Sequence, residues 1–373
     1  MTEQKSVRIA AIDWMRGLVM VLMVIDHAGM AFDGAHLSSD SVGLYQAGTL
    51  LPAWPFFSRW MTHLCAPTFV FLAGTALALS VERRVKRGED PRVTDRGILT
   101  RGAIIALLDP TIISLASGRL TLQVLFAIGV AMMAMAPLRR LPTGLLVGAA
   151  LAWMVAGEAI TDPLWVQEHG WPAPWVAALF AALFEPALKI AYPVLPWLSM
   201  MMLGWAFGRY LVGRLAEGDT RGPTRTLLLW GTAGLAVFGL VRWLNGYGNM
   251  FLLRGDDSWV QWLHVSKYPP SLGFSALELG LLGVLLAAMI VLERWIGVRQ
   301  KGPLLVFGQT AMFYYLAHRL VFEGLATWLG LRGSLGLEES YAITAVSLVV
   351  LYPACLWYRD LKRRHPQSAL RYF

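Results

Sequence analysis

Long apolar runs alternate along the chain with short polar connections and with loops rich in Trp, Pro and Gly. Ten of the runs are close to 20 residues, the length that spans a bilayer core as a helix: 12–32, 62–81, 98–116, 119–137, 142–160, 192–213, 225–244, 271–293, 303–323 and 340–358. The segment 174–190 is also apolar but bounded by prolines, and reads as an interfacial helix or as an eleventh span broken at Pro186. No repeat, low-complexity tract or polar domain interrupts the pattern. Residues 1–373 therefore predict one all-α, polytopic membrane domain.

Composition agrees. Only 15% of the residues are charged and 56% are hydrophobic, where a soluble domain carries about 25% charged residues. Many of the 16 Trp and 11 Tyr flank the apolar runs, as interfacial aromatics do. The first run has no small-residue cleavage site and outlasts a signal peptide, so it reads as the first span.

The net charge of +8 invites a nucleic-acid partner, but its distribution argues for topology. With the amino terminus in the cytoplasm and ten crossings, 23 of the 32 Lys and Arg fall on inner segments and eight on outer ones. That is the asymmetry of the positive-inside rule, and it puts both termini inside. The long outer loops 33–61, 161–191 and 245–270 are then the natural binding face. Cys65 and Cys355 fall at opposite faces, and no cysteine–histidine spacing suggests a metal.

The chemistry sits in polar residues at membrane depth. The first run holds Asp13, Arg16, Asp26 and His27, and an Arg or Asp at the centre of a span costs about 2.5–3.5 kcal/mol on insertion scales. Eleven residues are close to three helical turns, so Arg16 and His27 project from nearly the same side, about 16 Å apart in depth. The ninth run carries His318 at a depth matching His27, beside Arg319. The bland alternative is a snorkelling arginine with a histidine at the membrane edge. Asp26 is the nearest carboxylate to His27 in sequence, but adjacent helix residues diverge by 100°, which leaves Glu278 or Asp109 as other partners. Asp109-Pro110 marks a kink in the third run. Gly144–Gly148 and Gly204–Gly208 have the spacing of helix-packing motifs, which keeps a homodimer open. The inner loop after 82 holds Arg83, Arg84 and Arg87, suited to anionic lipid or to the phosphates of a cytosolic nucleotide-bearing cofactor.

The residues Ile12 to Gly17 with Asp26-His27, the block Cys65 to Gly74, the run Lys267 to Leu272 and the stretch Gly308 to His318 together resemble a known family. The arginine-glycine pair followed by His27 is similar to the signature of type 3 membrane acyltransferases. The whole chain more closely resembles heparan-α-glucosaminide N-acetyltransferase and its bacterial homologues. That resemblance implies a multi-pass enzyme of the plasma membrane. It would move an acetyl group from cytosolic acetyl-CoA to an extracytoplasmic amino sugar or glycan, with no metal. His27 is the implied base, with Asp26 beside it and His36 as a second candidate. Arg16, Arg83, Arg84 and Arg87 would hold the CoA phosphates, and Lys267, Tyr268, His318 and Glu278 would meet the acceptor. A proton-coupled transporter is the main rival, because intramembrane His, Asp and Glu also form proton relays. A non-enzymatic lipid- or glycan-binding scaffold would leave the matched histidines unexplained.

Overall fold

The computed structural model describes residues 9–165 and 170–372, so Lys5 and Arg8, two of the inner cations, lie outside it. Every predicted apolar run is occupied wholly or largely by helix. In chain order the elements are α1 (Ala10–Phe32), α2 (Ala53–Met61), α3 (Cys65–Lys86), α4 (Pro91–Leu108), α5 (Ser114–Ser117), β1 (Leu120–Leu122), α6 (Val124–Leu138), α7 (Thr143–Thr161) and α8 (Pro174–Leu179). They continue with β2 (Leu183–Phe184), β3 (Leu188–Ile190), α9 (Val194–Ala216), α10 (Gly222–Leu244), α11 (Trp259–Leu263), α12 (Leu272–Ile296), α13 (Pro303–Gln309), α14 (Ala311–Trp328) and α15 (Leu337–Arg364). Seven helical segments among the described residues are long and apolar enough to cross a membrane: 10–32, 53–86, 91–117, 143–164, 222–244, 272–296 and 337–364.

The other three predicted spans depart from uniform long apolar helices for visible reasons. Residues 120–122 leave the helix to pair in parallel with Leu188–Ile190, which shortens α6 to 15 residues. The α9 segment is long enough but less apolar, holding Pro196, Trp197, Trp205 and Arg209, and Trp197, Met200, Met201 and Trp205 are buried. The 303–323 run is broken at Thr310 into α13 and α14. Segment 174–190 is neither a span nor a sustained interfacial helix. It is the six-residue α8 followed by β2 and β3, paired antiparallel.

Local chemistry sets the helix ends. Pro91 follows Asp90, whose side chain accepts the Arg92 N–H at 2.8 Å, and Ser271 caps α12 by accepting from Phe274 at 2.9 Å; both are N-cap bonds to otherwise unsatisfied donors. The α1 start has no cap of its own. Glu293 of α12 supplies one from a distance, accepting the Ala10 and Ala11 N–H groups at 3.0 and 2.8 Å. The kink at Asp109-Pro110 takes the form of a five-residue π-helical turn, 109–113, so a proline and a π-turn, each a known cause of kinks, coincide there. Asp109 does not line a cavity with both oxygens. Its Oδ2 accepts the N–H of Gln123 and Phe126 at 2.7 and 2.8 Å and so caps α6.

Helices cross closely where glycine removes a side chain. A Cβ on Gly204 would stand 1.9 Å from the Phe71 carbonyl oxygen, and one on Gly74 2.2 Å from that of Met201, so α3 and α9 meet backbone to backbone. The Gly204–Gly208 motif is therefore used in packing. Gly144 and Gly148 meet nothing within 4 Å among the described residues, so that motif makes no close helix crossing there.

The α1–α13 crossing matters most for the site. A Cβ on Gly308 would lie 1.8 Å from the Asp13 carbonyl oxygen, and one on Gly17 2.0 Å from that of Leu304. Neither obstacle is a side chain that can swing away. Gly308→Ala should therefore force α1 and α13 apart and destabilise the protein by about 1–3 kcal/mol. A thermal melt of the detergent-purified variant checks this; a melting temperature equal to wild type would show that the crossing tolerates a methyl group.

Candidate active site

His27 lies in the last third of α1 with its ring buried. Its Nδ1 is 2.7 Å from Nε2 of His318 on α14, and the two rings stack with centroids 5.0 Å apart. On its other side, His318 Nδ1 is 2.6 Å from the Tyr314 carbonyl oxygen, one turn earlier. A carbonyl only accepts, so His318 Nδ1 carries a hydrogen. In the neutral pair His318 Nε2 is then the acceptor, His27 Nδ1–H the donor, and the lone pair of His27 is left on Nε2. The matched depths have become a dyad with one defined tautomer. A base oriented by a second group that is itself oriented by a third is the arrangement general-base chemistry requires.

Asp26 does not hold the His27 ring. The helix turns it away, and it pairs with Arg59 at the end of α2. Arg59 is buried and reaches three groups: Nη1 donates to Asp26, Nε to Asp40 Oδ2 at 2.8 Å, and Nη2 lies 3.5 Å from the Tyr268 hydroxyl. Asp40 also faces His63, Nε2 to Oδ1 at 3.1 Å. Burial pushes the Asp40 carboxyl up, but Arg59 and His63 outweigh it and hold the group well below the usual carboxylate range. The Asp40 backbone carbonyl accepts the Lys267 and Tyr268 N–H groups at 2.9 and 3.1 Å. One arginine thus ties the loop after α1, α2 and the 264–271 segment into a single cluster.

His36 packs over Gly29 of α1, where a Cβ would stand 2.7 Å from its Nδ1, and its Nε2 is 3.7 Å from Asp26. Burial pulls the His36 imidazole below its ordinary value, against the attraction of Asp26. A narrow cleft of about 10 Å³ opens beside it, walled by Asp26, His36, Ser58, Arg59 and Leu337 among others. His27, next to Asp26 in sequence, is not among the residues that line it.

The remaining predicted residues divide between the two ends of α1. Lys267 and Tyr268 join the Arg59 cluster, with Lys267 Nζ 5.2 Å from the Tyr268 ring centroid. Tyr268 also stands edge-on to Tyr192 and Phe184 at 5.6 and 5.5 Å. Glu278 is buried on α12 with neither carboxylate oxygen hydrogen-bonded among the described residues; Lys267 is its electrostatic neighbour. At the opposite end, Arg16 donates to the Leu72 carbonyl of α3 at 3.1 Å and lies 3.4 Å from Asp13. Arg84 bonds Glu89 at 2.7 Å. Arg101 of α4, which the sequence did not single out, lies within electrostatic reach of both Arg16 and Arg84. Arg83, in the exposed last turn of α3, and Arg87, just after the helix, are bonded to the Leu79 and Arg83 carbonyls.

Sequence reasoning counts Arg59 only as an outer cation, notes Arg319 only as the charge beside His318, and passes over Asp40 and His63. The available signal for Arg59 was a charge within the aromatic stretch Trp54 to Trp60. No curated protein matches the chain closely enough to count as a relative. The family model described as "Heparan-alpha-glucosaminide N-acetyltransferase, catalytic" matches residues 8–241, a stretch that holds α1 with His27, Arg59 with Asp26, Asp40 and His63, and the cationic end of α3, and that ends before Lys267, Tyr268 and His318. The chain, a multi-pass integral membrane protein, belongs to the heparan-alpha-glucosaminide N-acetyltransferase catalytic-domain family.

Proposed function

We propose that the protein transfers an acetyl group from cytosolic acetyl-CoA across a ten-helix bundle to an extracytoplasmic amino sugar or glycan hydroxyl, both termini being cytoplasmic. The observation that carries this reading is the His27–His318 dyad, closed by the Tyr314 carbonyl, which leaves a basic nitrogen on His27. CoA phosphates bind at the Arg16 end, where Arg84 and Arg101 add positive charge. The pantetheine arm runs along α1 and presents the thioester near His27. The acceptor enters from the cleft of Asp26, His36 and Arg59, with Lys267 and Tyr268 orienting it. His27 Nε2 removes the acceptor proton as the acceptor attacks, in the manner of a general base.

Calorimetry of acetyl-CoA with the detergent-purified protein, using free acetate as control, tests the donor. Saturable binding is expected; folded protein that binds none would overturn the reading and bring forward proton-coupled transport. Arg16→Ala should raise the acetyl-CoA dissociation constant about tenfold, the scale of one charge-assisted hydrogen bond. An unchanged constant would reduce Arg16 to its contacts with Leu72 and Asp13.

A further inference from the structure

Two buried arginines at this end of the bundle use their donors fully. Arg59 engages Asp26, Asp40 and Tyr268, and Arg242 engages Asn249, Leu252, Gln261 and Trp262 through all three nitrogens. Arg319, one residue after His318 on α14, does not. It is 2% exposed, its Nη2 lies 3.3 Å from Glu323, and its Nε and Nη1 have no hydrogen-bond partner among the described residues. Glu323 is itself shared with Arg332 at 2.6 Å. A buried guanidinium with two idle nitrogens is unfavourable in the resting protein, because each unmade bond forfeits solvation without replacement.

A second idle donor stands on the same face of the helix. Tyr315 precedes Arg319 by four residues, which places the two side chains one above the other. The Tyr315 hydroxyl is buried and unpartnered, and its ring meets that of His27 edge-on, 5.8 Å between centroids. Arg319 lies within the electrostatic reach of both His27 and Tyr315. Unused donors, one of them charged, therefore flank the base in a region shielded from water. Donors held ready where negative charge develops are the largest single contribution to many acyl transfers.

We propose that Arg319, together with Tyr315, is the oxyanion-binding pair of the transfer reaction, resting on the reading that His27 is its base. A neutral acceptor amine attacks the thioester carbon, forming the C–N bond while the carbonyl electron pair moves to oxygen. Arg319 and Tyr315 donate hydrogen bonds to that oxyanion, and His27 Nε2 takes a proton from the nitrogen. Collapse re-forms the carbonyl, breaks the C–S bond, and returns the proton from His27 to sulfur, releasing CoA thiol and the acetylated amine.

The test measures thiol release from acetyl-CoA by the full-length protein in detergent, with glucosamine as acceptor. Arg319→Gln should lower kcat about 10²–10³-fold while the acetyl-CoA KM stays within about twofold, the signature of an interaction made only in the transition state. Tyr315→Phe should show the same split with a smaller loss. With fluoroacetyl-CoA, whose more electrophilic carbonyl needs less help, both defects should shrink. If Arg319→Gln does not fold, Arg319→Lys keeps the charge and still predicts a lower kcat. Folded Arg319 variants with wild-type kcat overturn the assignment. So does Asp109→Asn if it reproduces their loss, since Asp109 Oδ1 is also unpartnered and within electrostatic reach of Arg319, and equal effects would mean a water-bridged structural pair. Folded wild-type protein that neither binds nor cleaves acetyl-CoA overturns the function itself, whereas an active wild type with unaffected variants overturns only the Arg319 pair.

Discussion

His27→Ala should lower acetyl transfer by about 10²–10⁴-fold, the contribution typical of a positioned general base, while the dissociation constant for acetyl-CoA changes little. The separation follows from the distance along α1. The proposed phosphate site at Arg16 lies eleven residues from His27, about 16 Å along the helix axis, so removing the imidazole leaves the cationic end untouched. His318→Phe should give a smaller loss. It removes the acceptor that fixes the His27 tautomer but leaves the basic ring in place. Turnover with saturating acetyl-CoA, paired with calorimetry on the same preparations, measures both quantities. Full turnover in His27→Ala would move the base to His36, which lies in the cleft with Asp26 and Arg59.

The parts of this site that were legible in the sequence are those governed by helical periodicity. Depth along a helix can be counted, so His27 and His318 could be matched before any contact was known, and the structure places their rings 2.7 Å apart at the nearest nitrogens. The predicted first span, 12–32, differs from α1 by two residues at one end. The parts that were not legible depend on loops and on long-range pairing, which carry no period. Asp40 comes from an irregular loop, and its bond to Arg59 spans 19 residues, while the bond between Arg59 and Asp26 spans 33. Leu120 reads as part of an apolar span until a strand 68 residues away claims it, Leu120 pairing with Leu188. Adjacency in sequence favours Asp26 as the partner of His27, while the roughly 100° between neighbouring helix residues argues against it and leaves Glu278 or Asp109 open. The helix sends Asp26 to Arg59 instead.

That pairing carries the second large effect. Arg59→Met should destabilise the protein by about 3–5 kcal/mol, because it removes the one cation hydrogen-bonded to both carboxylates and leaves Lys267 only within electrostatic reach. The side chains of Asp26 and Asp40 are 12% and 3% exposed, so water hardly reaches Asp40 and reaches Asp26 only from the cleft. Arg59→Lys should recover only part of the loss. An ammonium is a point charge, whereas the planar guanidinium engages Asp26 through Nη1 and Asp40 through Nε at the same time. The decisive variant combines Arg59→Met with Asp26→Asn and Asp40→Asn. If the cost lies in unpaired charge, neutralising both carboxylates should restore much of the stability without restoring the arginine. If instead the methylene stem of Arg59 matters by packing among α2, Tyr268 and the loop after α1, the triple variant will melt as low as Arg59→Met. Thermal melts of the four proteins in one detergent distinguish the two accounts. An Arg59→Met protein as stable as wild type would remove the ion-pair cluster from the forces that hold this end of the bundle together.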